Sequence, residues 1–197
     1  MHRTLAALTI ASLLGFTATA TAATLTVSVH DPRGNTVADA VAYAIPEGKV
    51  VLPVRKAAAV MDQKNRMFVP HVLAIQTGTA VRFPNSDDIR HQVYSFSNAK
   101  TFQLPLYKGN PANPVVFDKA GVATLGCNIH DRMSAYIVVV DTPYVGTAGK
   151  DGRVTLNTLP AGRYTVRVWY PEMRAEPAPV AVTLGTNERN DLAFTTR

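Results

Sequence analysis

The chain holds one cysteine, Cys127, within the stretch "LGCNIHDRMSAYIVVV" (Leu125 to Val140). His130 follows it by three residues and Met133 by six, so a thiol, an imidazole and a thioether share one short loop ahead of an apolar run. A second imidazole stands at His91, which opens the strand-like "HQVYSFS". In an antiparallel sandwich the end of that strand can lie beside the end of the strand carrying Cys127. Two imidazole nitrogens and one thiolate in a trigonal plane, with a weak axial thioether, make up the donor set of blue-copper electron-transfer sites. Other readings of the thiol stay open at this point. It can be buried and inert, paired between chains, or bonded to a metal. A Cys–His nucleophile pair is a further possibility, but it gives Met133 no role and nothing nearby supplies an oxyanion site.

The elements that must position these residues are strands. "TLTVSV" (Thr24 to Val29) alternates with period two, and "AVAYAI", "VLAIQT", "AVRF", "QVYSFS", "PVVFD", "VATLGC", "AYIVVV", "RVTL", "YTVRVWY" and "PVAVTL" follow it along the chain. These runs are short and rich in Val, Thr and aromatic residues. Turn signals separate them: Pro32-Arg33-Gly34-Asn35, Thr77-Gly78, Asn85-Ser86, Ala120-Gly121, Asp151-Gly152 and Ala161-Gly162. One short piece, Arg55 to Met61, reads as helical. Many short strands at regular spacing imply an all-β chain built as sandwiches or barrels. A break falls at "DTPYVGTAGKDG" (Asp141 to Gly152), after which a separate strand-turn-strand pattern begins. The piece beyond it is too small for a comfortable core of its own.

The opening "MHRTLAALTIASLLGFTATATAAT" has a basic start, an apolar run from Leu5 to Phe16 and the small-x-small pattern Ala20-Thr21-Ala22. Residues 1–22 therefore read as a signal peptide, which implies the periplasm and an oxidising environment for Cys127. The apolar run is shorter than the roughly 20 residues of a membrane span, and no second run of that length exists, so no membrane span is expected. The formal charge of +6 is scattered, without a long basic run. A nucleic-acid partner needs a basic patch interleaved with stacking aromatics, and none is present. The sequence also lacks a phosphate-cradling glycine loop, a paired-carboxylate pattern and a Gly-x-Ser-x-Gly elbow.

The stretches "FVPHVLAIQTGTAVRFPNSDDIRHQVYSF", "FDKAGVATLGCNIHDRM" and "AYIVVV" together resemble a cupredoxin. The resemblance runs through Phe68-Val69-Pro70, Gly78, Phe83-Pro84-Asn85, His91, Ala120-Gly121, Cys127, His130, Met133 and Ile137 to Val140, in family order. The short gap between His130 and Met133 is similar to that of amicyanin. The pattern as a whole resembles the plastocyanin-like bacterial proteins labelled "methylamine utilization protein". The resemblance implies a Greek-key cupredoxin sandwich over residues 56–142, with one type 1 copper ion held by His91, Cys127 and His130 and an axial Met133. Two positions depart from the family. Many cupredoxins have Asn after the first histidine, bracing the two ligand loops, whereas this chain has Gln92. Asp131 and Arg132 follow His130 where small apolar residues are common, which implies a more polar docking surface.

Outside that region, "LTVSVHDPRGNTVADAVAYAIP" and "AGKDGRVTLNTLPAGRYTVRVWYP" resemble the two halves of a carboxypeptidase-regulatory-like (prealbumin-like) β-sandwich. Residues 23–55 and 143–197 would then form one small sandwich split around the cupredoxin. The alternative is an N-terminal extension plus a separate tail domain. Of the remaining candidates, His71 reads as a strand-edge histidine, His30 as a surface residue and Trp169 as core. Asp87-Asp88 either orient His91 or simply form a turn, with the turn preferred. The expected function is single-electron transfer between redox partners, a periplasmic cytochrome or dehydrogenase among them, without catalysis. Two other functions remain open: a copper carrier or store without a redox partner, and a structural, partner-binding sandwich.

Overall fold

Alternation is the first rule the chain obeys. In Ala23–His30 every second residue is fully buried, as a strand with one face on a core requires. The computed structural model describes residues 22–48, 51–53, 58–111, 113–130, 132–171 and 173–196. The signal-peptide reading of 1–22 falls outside them but for its last residue. The strands run β1 (Ala23–His30), β2 (Val41–Pro46), β3 (Ala59–Val60), β4 (Asp62–Lys64), β5 (Met67–Val69), β6 (Val72–Gln76), β7 (Thr79–Arg82), β8 (Tyr94–Ser97) and β9 (Lys100–Gln103). They continue as β10 (Val115–Phe117), β11 (Gly121–Gly126), β12 (Ser134–Val140), β13 (Val145–Thr147), β14 (Arg153–Leu159), β15 (Gly162–Trp169), β16 (Val180–Leu184) and β17 (Arg189–Thr195).

The described residues contain no helix, and the chain is all-β. The helical reading of Arg55 to Met61 is therefore corrected. Residues 55–57 lie outside the described residues, and Ala59–Val60 is a strand paired in parallel with β7. Met61, whose N–H donates to the Arg82 carbonyl, is fully buried. Tertiary pairing wins because this segment is too short for a helix to stand on its own hydrogen bonds.

Four sheets make two sandwiches. In the first, the order β14-β1-β17 faces the order β13-β2-β15-β16. Leu25, Val27, Val154, Leu156 and Phe194 from one sheet meet Ala42, Ala44, Tyr164, Val166 and Leu184 from the other in a single apolar cluster. Strand β1 pairs antiparallel with β14 and in parallel with β17, so head and tail of the chain share a sheet. The β14 side is tied at its turn, where Val29 N–H donates to the Gly152 carbonyl at 2.9 Å. Gly152 has φ +67 and a Cβ there would stand 2.7 Å from the Val29 carbonyl oxygen, so glycine is required on both counts.

In the second sandwich, β10-β7-β3 faces β6-β12-β11-β8-β9. Val81, Phe83 and Phe117 meet Ala123, Leu125, Ala135, Ile137 and Val139 in its core. The five-stranded sheet is also covered on part of its other face. Val72, Val138 and Val140 form a smaller buried cluster with Val41 of the first sandwich, joined by Tyr43, Val145 and Trp169. Trp169 thus sits half-buried between the two sandwiches, its ring centroid 5.2 Å from that of Tyr136. His71 lies at the same junction and pairs with Asp39 at 2.9 Å.

Leu25→Ala should lower unfolding free energy by about 2–5 kcal/mol, the usual cost of emptying a fully buried leucine site. Urea denaturation checks this, and a midpoint equal to wild type would contradict the shared head-and-tail core.

Candidate metal centre

Backbone pairing brings the donor residues to one end of the second sandwich. Strands β11 and β12 are antiparallel, with Gly126 opposite Ser134, so the loop between them starts at Cys127 and returns at Met133. Met133 N–H donates to the His130 carbonyl at 2.9 Å and tightens that return. Cys127 and Met133 are 4% and 2% exposed, in the same apolar cluster, and both line one surface cleft of about 500 Å³. Strand β8 joins β11 through Tyr94 opposite Gly126. His91, three residues before Tyr94, exchanges two backbone hydrogen bonds of 3.0 Å with Tyr107 and is fully buried.

The result is a group of three donors. One ligand atom each from His91, Cys127 and His130 lies within 4.8 Å of the others, and the two imidazole centroids are 4.9 Å apart. His91 Nδ1 and His130 Nδ1 are both buried without a hydrogen-bond partner. A buried polar atom left unpaired is costly, and two imidazole nitrogens beside a thiol are a set that a soft or borderline metal ion satisfies. The residues present therefore fit a copper ion. His71 is held by Asp39, apart from this group.

Hydrogen bonds outside the donor group hold its walls. Gln92, after His91, accepts a 2.7 Å bond through Oε1 from Asn128 Nδ2, after Cys127. Glutamine thus links the segments that carry His91 and Cys127, at the position where the family resemblance implies asparagine. Asn85 Nδ2 donates to the carbonyls of Ile89 and Tyr107 at 2.9 and 2.8 Å. The Tyr107 hydroxyl donates to the Phe83 carbonyl at 2.6 Å and accepts from Gln63 Nε2 at 2.5 Å. Burial pushes the Tyr107 phenol up to about 12, the charges of Asp62 and Cys127 add to the rise, and the Gln63 bond opposes it. Gly126 lets the Tyr94 ring lie close to the strand: a Cβ there would fall 2.6 Å from that ring and displace it.

Asp87 does more than form a turn. Its Oδ2 lies 2.7 Å from His91 Nε2, and its carboxylate accepts the N–H groups of Asn65 and Arg66 at 2.6 and 2.8 Å. Burial raises its pKa, but the Arg66, His91 and Asn65 hydrogen bonds outweigh that and hold it below the ordinary carboxylate value. The preference for a simple turn at Asp87-Asp88 is corrected by this contact. Gln63 and Tyr107 carry no motif in the sequence, and only long-range packing reveals them. On the surface beside His130, Arg132 is exposed and Ile129 is 49% exposed, so an apolar side chain accompanies the charge. Asp131 lies outside the described residues.

No family model matches the chain, and no curated protein matches it. Solved structures do. A Cu-containing nitrite reductase from Thermus scotoductus SA-01 is 24% identical over 48% of this chain and 25% of its own, with a TM-score of 0.40. The matched region thus spans about a quarter of that reductase. A purple cupredoxin from Nitrosopumilus maritimus is 24% identical over 41% of this chain and 98% of its own, with a TM-score of 0.36. A Cu(I) form of an amicyanin variant is 20% identical over 49% of this chain and 98% of its own, with a TM-score of 0.39.

Tyrosine ionisation near the centre has a measurable consequence. Tyr107 keeps its proton to about 12 in the folded state, while the unfolded side chain releases it near 10.0. Stability from this group is complete below the unfolded value and is lost as pH rises through the folded one. Tyr164, also raised to about 12 by burial, adds to the slope. Urea midpoints measured across that window should fall with pH in wild type and fall less steeply in Tyr107→Phe. Equal slopes would contradict the assignment.

Proposed function

We propose that this protein is a periplasmic type 1 copper protein that passes single electrons between redox partners. The observation that supports this best is the pair of buried, unpartnered Nδ1 atoms of His91 and His130 beside the buried thiol of Cys127. His91, Cys127 and His130 would hold the ion, with Met133, in the same apolar cluster as Cys127, as a weaker fourth donor. Copper in such a site supplies one-electron chemistry between its +1 and +2 states. The protein's part is to keep the donors still. Cys127 and Met133 are anchored by strand pairing at both ends of their loop, and His91 is anchored by Asp87 and Tyr107. His130, only partly buried, would be the edge through which an electron leaves toward a cytochrome or dehydrogenase. With four side-chain donors on the ion a substrate would find no open position, so we read the protein as an electron-transfer protein and not an enzyme.

Residues 56–142 would constitute the cupredoxin domain. Residues 23–55 and 143–197 would constitute one carboxypeptidase-regulatory-like sandwich into which it is inserted, a reading supported by the pairing of β1 with β14 and β17. Among the described residues no helix is long and apolar enough to cross a membrane. The periplasmic assignment rests on the signal-peptide pattern of residues 1–22.

Copper titration of the purified chain tests the reading. An intense blue thiolate-to-Cu(II) band should develop at one equivalent and vanish in Cys127→Ser. Tight Cu(I) uptake without a blue Cu(II) form would replace it with the carrier function, and no uptake would overturn it.

A further inference from the structure

We propose that Asp87 is a positioning residue for the metal centre, fixing which nitrogen of His91 faces the donor group and tying that ring to the β4–β5 hairpin. The metal arm of this inference rests on the copper reading above; the tautomer arm does not. A carboxylate that is ionised only accepts hydrogen bonds. The 2.7 Å contact between Asp87 Oδ2 and His91 Nε2 therefore places a ring hydrogen on Nε2, which in the neutral imidazole is the only one the ring carries. Nδ1 is left with its lone pair, buried and without a partner, in a residue that is itself fully buried. Without that carboxylate the imidazole could carry its hydrogen on either nitrogen, and one of the two tautomers presents an N–H where a donor lone pair is needed.

The same carboxylate reaches the hairpin. Asn65 and Arg66 form the turn between β4 and β5 and both have positive φ, 56 and 58. Successive residues in such turns turn their N–H groups toward one concavity, which favours an anionic oxygen. Asp87 fills it, accepting from Asn65 on Oδ1 and from Arg66 on Oδ2. Its own N–H donates to Asn85 Oδ1 at 3.0 Å, and Asn85 in turn holds Ile89 and Tyr107, which flank His91. Hairpin, carboxylate and imidazole thus form one hydrogen-bonded unit, and a turn remote in sequence from the donor loop becomes part of the site's support. A residue needed only to shape the chain at 86–88 would require neither the contact with Nε2 nor that with the hairpin.

The test uses the full chain with Asp87→Ala and Asp87→Asn. Asparagine keeps an acceptor for the hairpin and guards against loss of fold, which circular dichroism checks. In the metal-free wild type, the imidazole nitrogen shifts of His91 should report hydrogen on Nε2 alone, and Asp87→Ala should show a mixture. Competition against a chromophoric Cu(I) chelator should show affinity reduced about 10- to 100-fold in Asp87→Ala, the usual effect of removing a metal ligand's hydrogen-bond partner, and by less in Asp87→Asn. Loss of the negative charge should also raise the reduction potential in both variants. Hydrogen on Nδ1 in the wild type, or unchanged affinity and potential in both variants of a copper-binding protein, would overturn the proposal. If the wild type takes up no copper, the copper reading falls, while the nitrogen shifts still decide the tautomer.

Discussion

Two imidazoles that each keep one buried nitrogen unpaired dominate this structure. Leaving a buried polar atom unpaired costs roughly 1–3 kcal/mol, and the fold does so on both imidazoles at one end of one sandwich. Such an arrangement persists only when the surroundings leave the side chains no better option. His91 is pinned by its own backbone, paired with Tyr107, and by Asp87 at the far side of its ring. Cys127 and Met133 are pinned because strand pairing resumes directly outside them. The neighbouring polar groups bond to one another: Gln92 to Asn128, Tyr107 to Phe83 and Gln63, Asn85 to two carbonyls. None of these partners turns to the free nitrogens, which stay available for a ligand that binds both at once. A bound ion would then stabilise the folded state by mass action as well as completing the site.

The candidate donors were legible because their types are rare and their spacing local. Cys127, His130 and Met133 sit on one loop, and the strands on either side are plain in "VATLGC" and "AYIVVV". His91 required an assumption about sheet topology, which the pairing of β8 with β11 now supplies. What could not be read was everything that depends on contact across sequence. Gln63 is polar and fully buried, with nothing local to mark it, and its bond to Tyr107 spans distant strands. Asp87 looked like a turn residue because its local neighbours are turn residues, while its hydrogen-bonding partners lie in a hairpin some twenty positions earlier. The short strands β3, β4, β5 and β9 carry too few residues for periodicity to show. Strand β17, "RNDLAFT", is mostly exposed and polar, and only its pairing with β1 makes it a strand.

Burial on two faces explains another sequence feature. Strand β1 alternates because it lines one core, whereas β12 is apolar almost throughout, from Ala135 to Val140. Its residues Ala135, Ile137 and Val139 face the core of their own sandwich, and Tyr136, Val138 and Val140 face the other sandwich. A strand covered on both sides loses the alternation that marks a half-buried one. The continuous "AYIVVV" was thus a sign of a second layer as much as of a closing strand.

That second layer also decides what remains accessible. Along β12 the contacts with the first sandwich fall at Tyr136, Val138 and Val140, while the donor loop ends at Met133. A strand rises about 3.3 Å per residue, so Val138, the first buried residue of β12 in that contact, lies roughly 17 Å along the strand from Met133. The first sandwich therefore covers the half of the sheet remote from the donors. His130 keeps partial exposure, and Ile129 and Arg132 beside it remain open to solvent. A covering layer placed over Gly126 and Ser134 instead would have closed the cleft that Cys127 and Met133 line. The first sandwich thus covers part of the five-stranded sheet and leaves open the edge at which His130 lies.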